Sequence, residues 1–191
     1  MSNSLPPDYF DALYARSPDP WSFETSAYED AKYAATLAAL PDERYAAALE
    51  VGCSIGVLTA RLAPRCDRLV AIDPAAAALE LARRRCAELR HVDFVQGYVP
   101  ADWPAGRFDL ILFSEVIYYL GLPDLGALAA RTAGAIAPGG HVLLVHWVRE
   151  TDYPLSGDEA AERFIAALGD GFRLLRQQRT DDYRLDLLVA P

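Results

Sequence analysis

The 191-residue sequence is poor in cysteine, in basic charge and in long apolar runs, and each shortage excludes something. Its three cysteines, Cys53, Cys66 and Cys86, are odd in number and far apart. They offer neither a Cys-x-x-Cys metal site nor a disulfide framework, and Cys66 and Cys86 read as small buried hydrophobes. Lys and Arg total 18 against 27 Asp and Glu, a formal charge of -9. A chain this acidic is ill suited to gripping nucleic-acid phosphates. Its longest basic run, Arg83-Arg84-Arg85, falls in a helical pattern and reads as a solvated face. No apolar run reaches the ~18 residues that span a bilayer, and residues 1–11 lack the basic-then-apolar order of a secretory leader. The expectation is a soluble, cytoplasmic protein of one domain over 1–191, with no nucleic-acid or membrane partner. With 52% apolar and 24% charged residues it can build a sizeable core.

What is present is an alternation of strand and helix signals. Residues 47–51, 68–72, 92–96, 108–114 and 141–147 are short apolar runs of strand length. Between them, 55–62, 75–89 and 122–137 have helical composition. Pro138-Gly139-Gly140 reads as a helix stop. A helix over 157–168 precedes two last strands, 172–180 and 183–190, joined around Asp181-Asp182. Strands apolar on both faces and alternating with helices predict a parallel sheet covered on both sides. The last connection is too short for a parallel crossover, so that pair must be antiparallel. Residues 1–45 precede this core, and Ser26 with Glu29 reads as a capping box opening a helix there.

The strand at 47–51 runs into Glu50-Val-Gly52-Cys53-Ser54-Ile-Gly56, which opens a helix. Gly52 permits a sharp turn, and a bare backbone with free helical N–H groups lets a polar ligand approach. Ser54 stands where dinucleotide loops carry a second glycine. Asp73, 23 residues after Glu50 at the end of the second strand, can accept two hydrogen bonds from a ribose diol, or it can cap the following helix. Loop and acid together fit a nicotinamide dinucleotide and S-adenosylmethionine equally well.

Glu50-x-Gly52-x-x-x-Gly56, Asp73-Pro74, Phe108–Leu120 and Pro138–Val145 occur in the order of four motifs of the Rossmann-like S-adenosylmethionine-dependent methyltransferases, which the chain resembles. The resemblance implies a class I α/β fold: a seven-stranded, mostly parallel sheet with an antiparallel C-terminal hairpin and helices on both faces. It implies S-adenosyl-L-methionine as cofactor. Glu50, Gly52, Cys53, Ser54 and Gly56 would wrap the methionine part, Asp73 with Pro74 would meet the ribose, Gly97, Tyr98 and Val99 would line adenine, and the Ser114 backbone would receive the ammonium. Many relatives carry an Asp where Tyr98 stands, so a backbone carbonyl there, or Asp102, would take its place.

Seven of the 20 aromatic residues fall between Tyr9 and Tyr33. They read either as packing for a leading helix or as a lid, in which Trp21 and Tyr28 offer aromatic faces to a sulfonium. Phe10–Tyr14, Asp19-Pro-Trp21, Tyr28-Glu29 and Lys32-Tyr33, with Gly52–Gly56, Ser114–Tyr119, His146-Trp147 and Asp152-Tyr-Pro154, resemble the nodulation protein S family over nearly the whole chain. That family implies N-methylation of a free amine on a deacetylated chitooligosaccharide. Glu115 and His146, at the ends of strands four and five, are the candidates to orient the amine and take its proton. Both also have structural readings, as a loop cap and as a satisfied strand-end histidine. Tyr118, Tyr119 and Trp147 would form a stacking wall for a sugar ring, with Asp152 and Asp158 at the mouth. No metal-ligand cluster is evident, and the partner expected is a small-molecule acceptor.

Overall fold

The computed structural model describes residues 4–191. Two helices, α1 (Pro7–Arg16) and α2 (Ala27–Ala39), precede the sheet. Then follow β1 (Ala48–Val51), α3 (Val57–Leu62), β2 (Leu69–Asp73), α4 (Ala76–Arg85), β3 (Val92–Gln96) and β4 (Phe108–Ser114). The chain ends with α5 (Leu122–Ala135), β5 (Ile136–Trp147), α6 (Gly157–Leu168), β6 (Arg173–Arg179) and β7 (Tyr183–Val189). One seven-stranded sheet runs in the order β3-β2-β1-β4-β5-β7-β6. Neighbours among the first five strands pair parallel, and β7 lies antiparallel between β5 and β6. The expected class I fold is therefore present, with its hairpin reversed in space so that the last strand is internal.

Burial explains the order. Every residue of β1 and β2 is buried, and successive residues point to opposite faces, so both faces are covered. β7 is buried over 183–188, as an internal strand must be, whereas β6 is an exposed edge and leaves Leu174 and Leu175 at the surface. Arg173, Arg176 and Arg179 on β6 are the charges that blunt such an edge. On α6 the buried positions Gly157, Ala160, Ala161, Phe164 and Leu168 form one stripe. Phe164 meets Phe113 of β4 edge-on at 5.2 Å, and truncating a phenylalanine so buried costs about 3–5 kcal/mol.

Three local expectations are corrected. Pro138-Gly139-Gly140 does not follow the helix as a separate stop. α5 ends at Ala135 and β5 begins at once, with a register shift against β4 between Phe108 and Leu110 that absorbs the three residues. The helix expected over 75–89 ends at Arg85. The capping box is half formed: Ser26 Oγ accepts the Glu29 N–H at 3.3 Å, but the Glu29 carboxylate turns inward to Lys32. Among the described residues no helix is long and apolar enough to cross a membrane.

Candidate functional site

The strand order reverses between β1 and β4, and in open α/β sheets a crevice forms at the carboxyl ends of the strands on either side of such a point. A cavity of about 360 Å³ lies there. Its floor comes from the loops after β1, β2, β3 and β4, and its cover from α1, α2 and the segment between them.

The floor is shaped by backbone that few residues can adopt. Gly52 has φ +79°, and a Cβ on it would come within 2.2 Å of Val116. Ser54 also lies in the left-handed region, at φ 50°. The missing second glycine is thus replaced by a strained serine, a cost of about 1–3 kcal/mol that the surroundings must offset. They do so from two sides. The Ser54 N–H donates to Asp73 Oδ2 at 2.8 Å, and the Ser54 hydroxyl shares a hydrogen bond with the Tyr14 hydroxyl of α1. Asp73 Oδ1 accepts the Ala75 N–H at 3.0 Å. Asp73 therefore fastens the loop and ties the turn ahead of α4, a helix with no side-chain cap, while still lining the cavity. Burial pushes its carboxyl up to about 6 despite these two donors.

Glu50 is buried beneath the loop. Its Oε2 has no hydrogen-bond partner, and burial pushes the carboxyl up to about 8. A second, small cavity joins Glu50 to Gly52, Ser54, Ser114 and Glu115, residues that also line the main one, Glu50 excepted.

The other end of the cavity is built on an ion cluster. Lys32 of α2 is 2% exposed, and its Nζ lies 2.9 Å from Glu29 Oε1 and 2.5 Å from Glu115 Oε1. Glu115 Oε2 accepts the Tyr118 hydroxyl at 2.7 Å and the Trp147 N–H at 2.8 Å. The three bonds to its carboxylate hold Glu115 in a left-handed conformation, φ 58°, that glutamate rarely adopts. Burial alone would raise the Glu115 carboxyl, but Lys32 beside it and these donors hold it below the usual range. Around the cluster stand aromatic rings. Tyr118 stacks on Tyr153 at 5.1 Å, and Tyr28 meets Trp147 edge-on at 5.6 Å. The Tyr28 hydroxyl is buried without a partner.

Most sequence-derived candidates converge on this cavity: Trp21, Tyr28, Gly52, Ser54, Asp73, Pro74, Gly97, Tyr98, Val99, Ser114, Glu115, Tyr118, Tyr119 and Trp147 all line it. Seven do not line it. Glu50 sits below the loop. Cys53 packs with Ala71 and Leu79. A Cβ on Gly56 would meet Ala82 at 2.9 Å, so that glycine serves the contact of the loop with α4. His146 is buried, and its Nε2 accepts the Ile117 N–H at 3.2 Å. That bond uses the lone pair a base would need, and burial pushes the imidazole down to about 4. Asp152 is exposed, and its neighbours Thr151 and Tyr153 line the cavity instead. Asp158 pairs with Arg179 at 2.9 Å, and Asp102 Oδ2 is held by the Tyr98 N–H at 2.9 Å.

Sequence reasoning missed Glu29, Lys32 and Tyr153 as site residues. The signal for Lys32 was periodicity: the buried face of α2 is Glu29, Lys32, Tyr33, Thr36 and Ala39, and two charges on an inward stripe are unusual.

Comparison with known proteins gives a consistent result. The family model described as Nodulation protein S (NodS) matches residues 12–131. The Nodulation protein S of Bradyrhizobium diazoefficiens is 41% identical over 122 residues, 63% of this chain and 58% of that protein. The chain spans 53–59% of the length of the Nodulation protein S relatives that it matches over the most residues. A crystal structure of a putative methyltransferase from Pseudomonas syringae is 42% identical, with TM-score 0.76 over 86% of this chain and 99% of that one. The N-methyltransferase NodS from Bradyrhizobium japonicum WM9, in complex with S-adenosyl-L-homocysteine, shares the fold with TM-score 0.81 at 24% identity, over 96% of this chain and 97% of that one.

Proposed function

Because the chain belongs to the nodulation protein S family, we propose that it is an S-adenosyl-L-methionine-dependent methyltransferase acting on the amine of a small molecule, in the narrowest form an amino sugar such as a deacetylated chitooligosaccharide. The residues of the cavity fit the cofactor. Asp73 keeps lone pairs free beside its two backbone donors and suits ribose hydroxyls. The Ser114 backbone suits the methionine ammonium, with the Glu50 carboxyl behind it at the small adjoining cavity beneath the loop. The bare backbone at Gly52 allows the close approach that a side chain would deny, and Pro74, Gly97, Tyr98 and Val99 would flank adenine. Trp21 and Tyr28 close the cavity with aromatic faces suited to a cation. When bound, the cofactor supplies a methyl group on a sulfonium, already activated for displacement. The protein's share is then alignment and exclusion of water.

One observation carries the choice of acceptor. Two carboxylates, Glu29 and Glu115, line the cavity, and Lys32, the only cation lining it among the described residues, is engaged by both. An acceptor carboxylate or phosphate would meet repulsion there with no free partner, while an amine meets acceptors. Tyr118, Tyr119, Tyr153 and Trp147 add flat surfaces for a sugar face. A cytoplasmic location and a small-molecule acceptor accompany this reading.

The test is incubation with S-adenosylmethionine and a deacetylated chitooligosaccharide, followed by mass spectrometry of the product. N-methylated sugar supports the reading in full. Turnover of a different amine keeps the enzyme and replaces the acceptor. Cofactor binding without turnover of any acceptor replaces the enzyme with a silent binding protein.

A further inference from the structure

Four aromatic side chains stand around the ion cluster and line the cavity: Tyr118, Tyr119, Trp147 and Tyr153. They do not offer equal surfaces. Tyr118 and Tyr119 are only 4% and 8% exposed. The Tyr118 ring is boxed by Tyr119 at 4.6 Å, by His146 at 5.4 Å and by Tyr153, which stacks on it at 5.1 Å with 21° between the planes. Tyr119 also has Phe10 of α1 edge-on at 5.0 Å. Trp147 has the Tyr28 ring edge-on at 5.6 Å and the Arg149 guanidinium at 6.0 Å. Tyr153 differs from these three. One of its faces lies on Tyr118. Tyr119 is 4.7 Å from it, but 4.6 Å from Tyr118. A ring over the far face of Tyr153 would be two contact spacings from Tyr118, roughly 7 Å or more. Tyr119 therefore sits beside the stack, and the far face of Tyr153 is free of both rings. Tyr153 is half-buried and lines the cavity. Its loop is pinned there by the Leu155 N–H, which donates to the Tyr118 carbonyl at 3.3 Å. Pro154 disfavours helical backbone at Tyr153 and stiffens the same loop.

On the amino-sugar reading above, on which this rests, we infer that the far face of Tyr153 is the platform on which a sugar ring of the acceptor stacks. The C–H face of a pyranose and the face of a phenol ring are flat apolar areas of similar size. Laying one on the other removes both from water. The platform stands at a fixed place relative to the ion cluster, because Tyr118, beneath Tyr153, donates its hydroxyl to Glu115 Oε2 at 2.7 Å. Tyr153 thereby favours a cyclic acceptor over a chain-like amine. The stack is the same before and during methyl transfer, so its loss weakens binding of the acceptor and leaves the chemical step alone.

Two measurements on the full-length protein test this, with Tyr153→Phe, which keeps the ring, and Tyr153→Leu, which fills much of the space without a flat face. In the first, methylation of a deacetylated chitooligosaccharide is followed at saturating S-adenosylmethionine. Tyr153→Phe is expected to stay within about twofold of the wild type. Tyr153→Leu is expected to raise KM by about five- to tenfold, with kcat and the affinity for S-adenosylhomocysteine unchanged. An unchanged KM in Tyr153→Leu overturns the proposal. So does a fall in kcat or in S-adenosylhomocysteine affinity that matches the rise in KM, because that marks a packing role. In the second, proton NMR spectra of the same acceptor are recorded as it binds the complex with S-adenosylhomocysteine. Its ring protons should move upfield with the wild type and Tyr153→Phe, and by much less with Tyr153→Leu. Equal shifts in all three overturn the proposal, and no upfield shift on binding to the wild type overturns it without any variant. A wild type that neither binds nor methylates the sugar, yet methylates another amine, overturns the amino-sugar reading itself, and the proposal falls with it.

Discussion

The Lys32 ammonium of α2 lies 2.5 Å from Glu115 Oε1, so a helix outside the sheet is tied by a buried ion pair to the carboxyl end of β4. Lys32 is the shared cation of two carboxylates, and its removal leaves both of them buried and facing each other. Lys32→Met is expected to cost about 3–5 kcal/mol at pH 7, the loss typical of breaking a buried pair. Its pH dependence should also differ. In the wild type the folded Glu115 carboxyl titrates below its unfolded value, so its contribution is present above the unfolded value and is lost as pH falls through the folded one. In the variant the carboxylates repel, and protonation relieves them. Urea midpoints of both proteins from pH 7 to pH 4 check this: the deficit of Lys32→Met relative to the wild type should shrink on acidification. Parallel slopes would refute the coupling.

The latch on the other side of the segment is smaller. The hydroxyls of Tyr14 and Ser54 share a hydrogen bond between α1 and the strained loop. Tyr14→Phe removes one such bond, worth about 1 kcal/mol. Because Tyr14 is part of the cover and Ser54 part of the floor, the loss should fall on cofactor binding. Calorimetry with S-adenosylhomocysteine should show about fivefold weaker affinity, with the far-ultraviolet circular dichroism unchanged. Unaltered affinity would mean that the segment does not need the latch to close.

Much of this was legible beforehand, for physical reasons. The parallel strands announce themselves as apolar runs because both their faces are buried, and Gly52, Asp73 and Ser114 follow from where those strands end. Other features were hidden because they depend on partners distant in sequence. Nothing local in the sequence says that Glu115 is held by Lys32, Tyr118 and Trp147. Nor does it say that the His146 imidazole is held by the Ile117 N–H, which withdraws it from the role its strand-end position suggested. Asp73 was framed as either a ribose contact or a helix cap. The geometry gives it the Ser54 tether and a bond to the Ala75 N–H ahead of α4, which has no side-chain cap, with the cavity still before it.

Asp73 therefore carries a pH-dependent prediction for the cofactor. Burial pushes its carboxyl up to about 6, and donors from a ribose favour the carboxylate. S-adenosylhomocysteine affinity should be flat above pH 7 and fall as pH drops through about 6, by up to tenfold per unit. Asp73→Asn should bind weakly with no such dependence. Asp73→Ala should weaken binding by at least about tenfold, since each charge-assisted bond contributes ~1.5–3 kcal/mol. A wild-type affinity that is constant from pH 5 to 8 would remove the ribose role.

Glu50 is the residue whose stability and role pull in opposite directions. Its folded carboxyl is raised to about 8 from the ordinary 4.5 by burial. A raised group contributes fully below its unfolded value, and that contribution is lost as pH rises to the folded one. At pH 7 the unfolded chain has already ionised Glu50 while the folded chain has not, which costs the fold about 3 kcal/mol at 1.36 kcal/mol per unit. Glu50→Gln keeps the shape and removes the titration. It should therefore raise stability at pH 7 by up to about 3 kcal/mol, with the gain shrinking toward zero near pH 4.5. The same substitution replaces an acid that a bound methionine ammonium would ionise by a neutral amide beneath the loop, and should weaken S-adenosylhomocysteine binding. Denaturation across pH 4.5–8 and calorimetry on the same variant test both halves together. A gain in stability with intact binding would leave Glu50 a buried acid with no part in holding the cofactor.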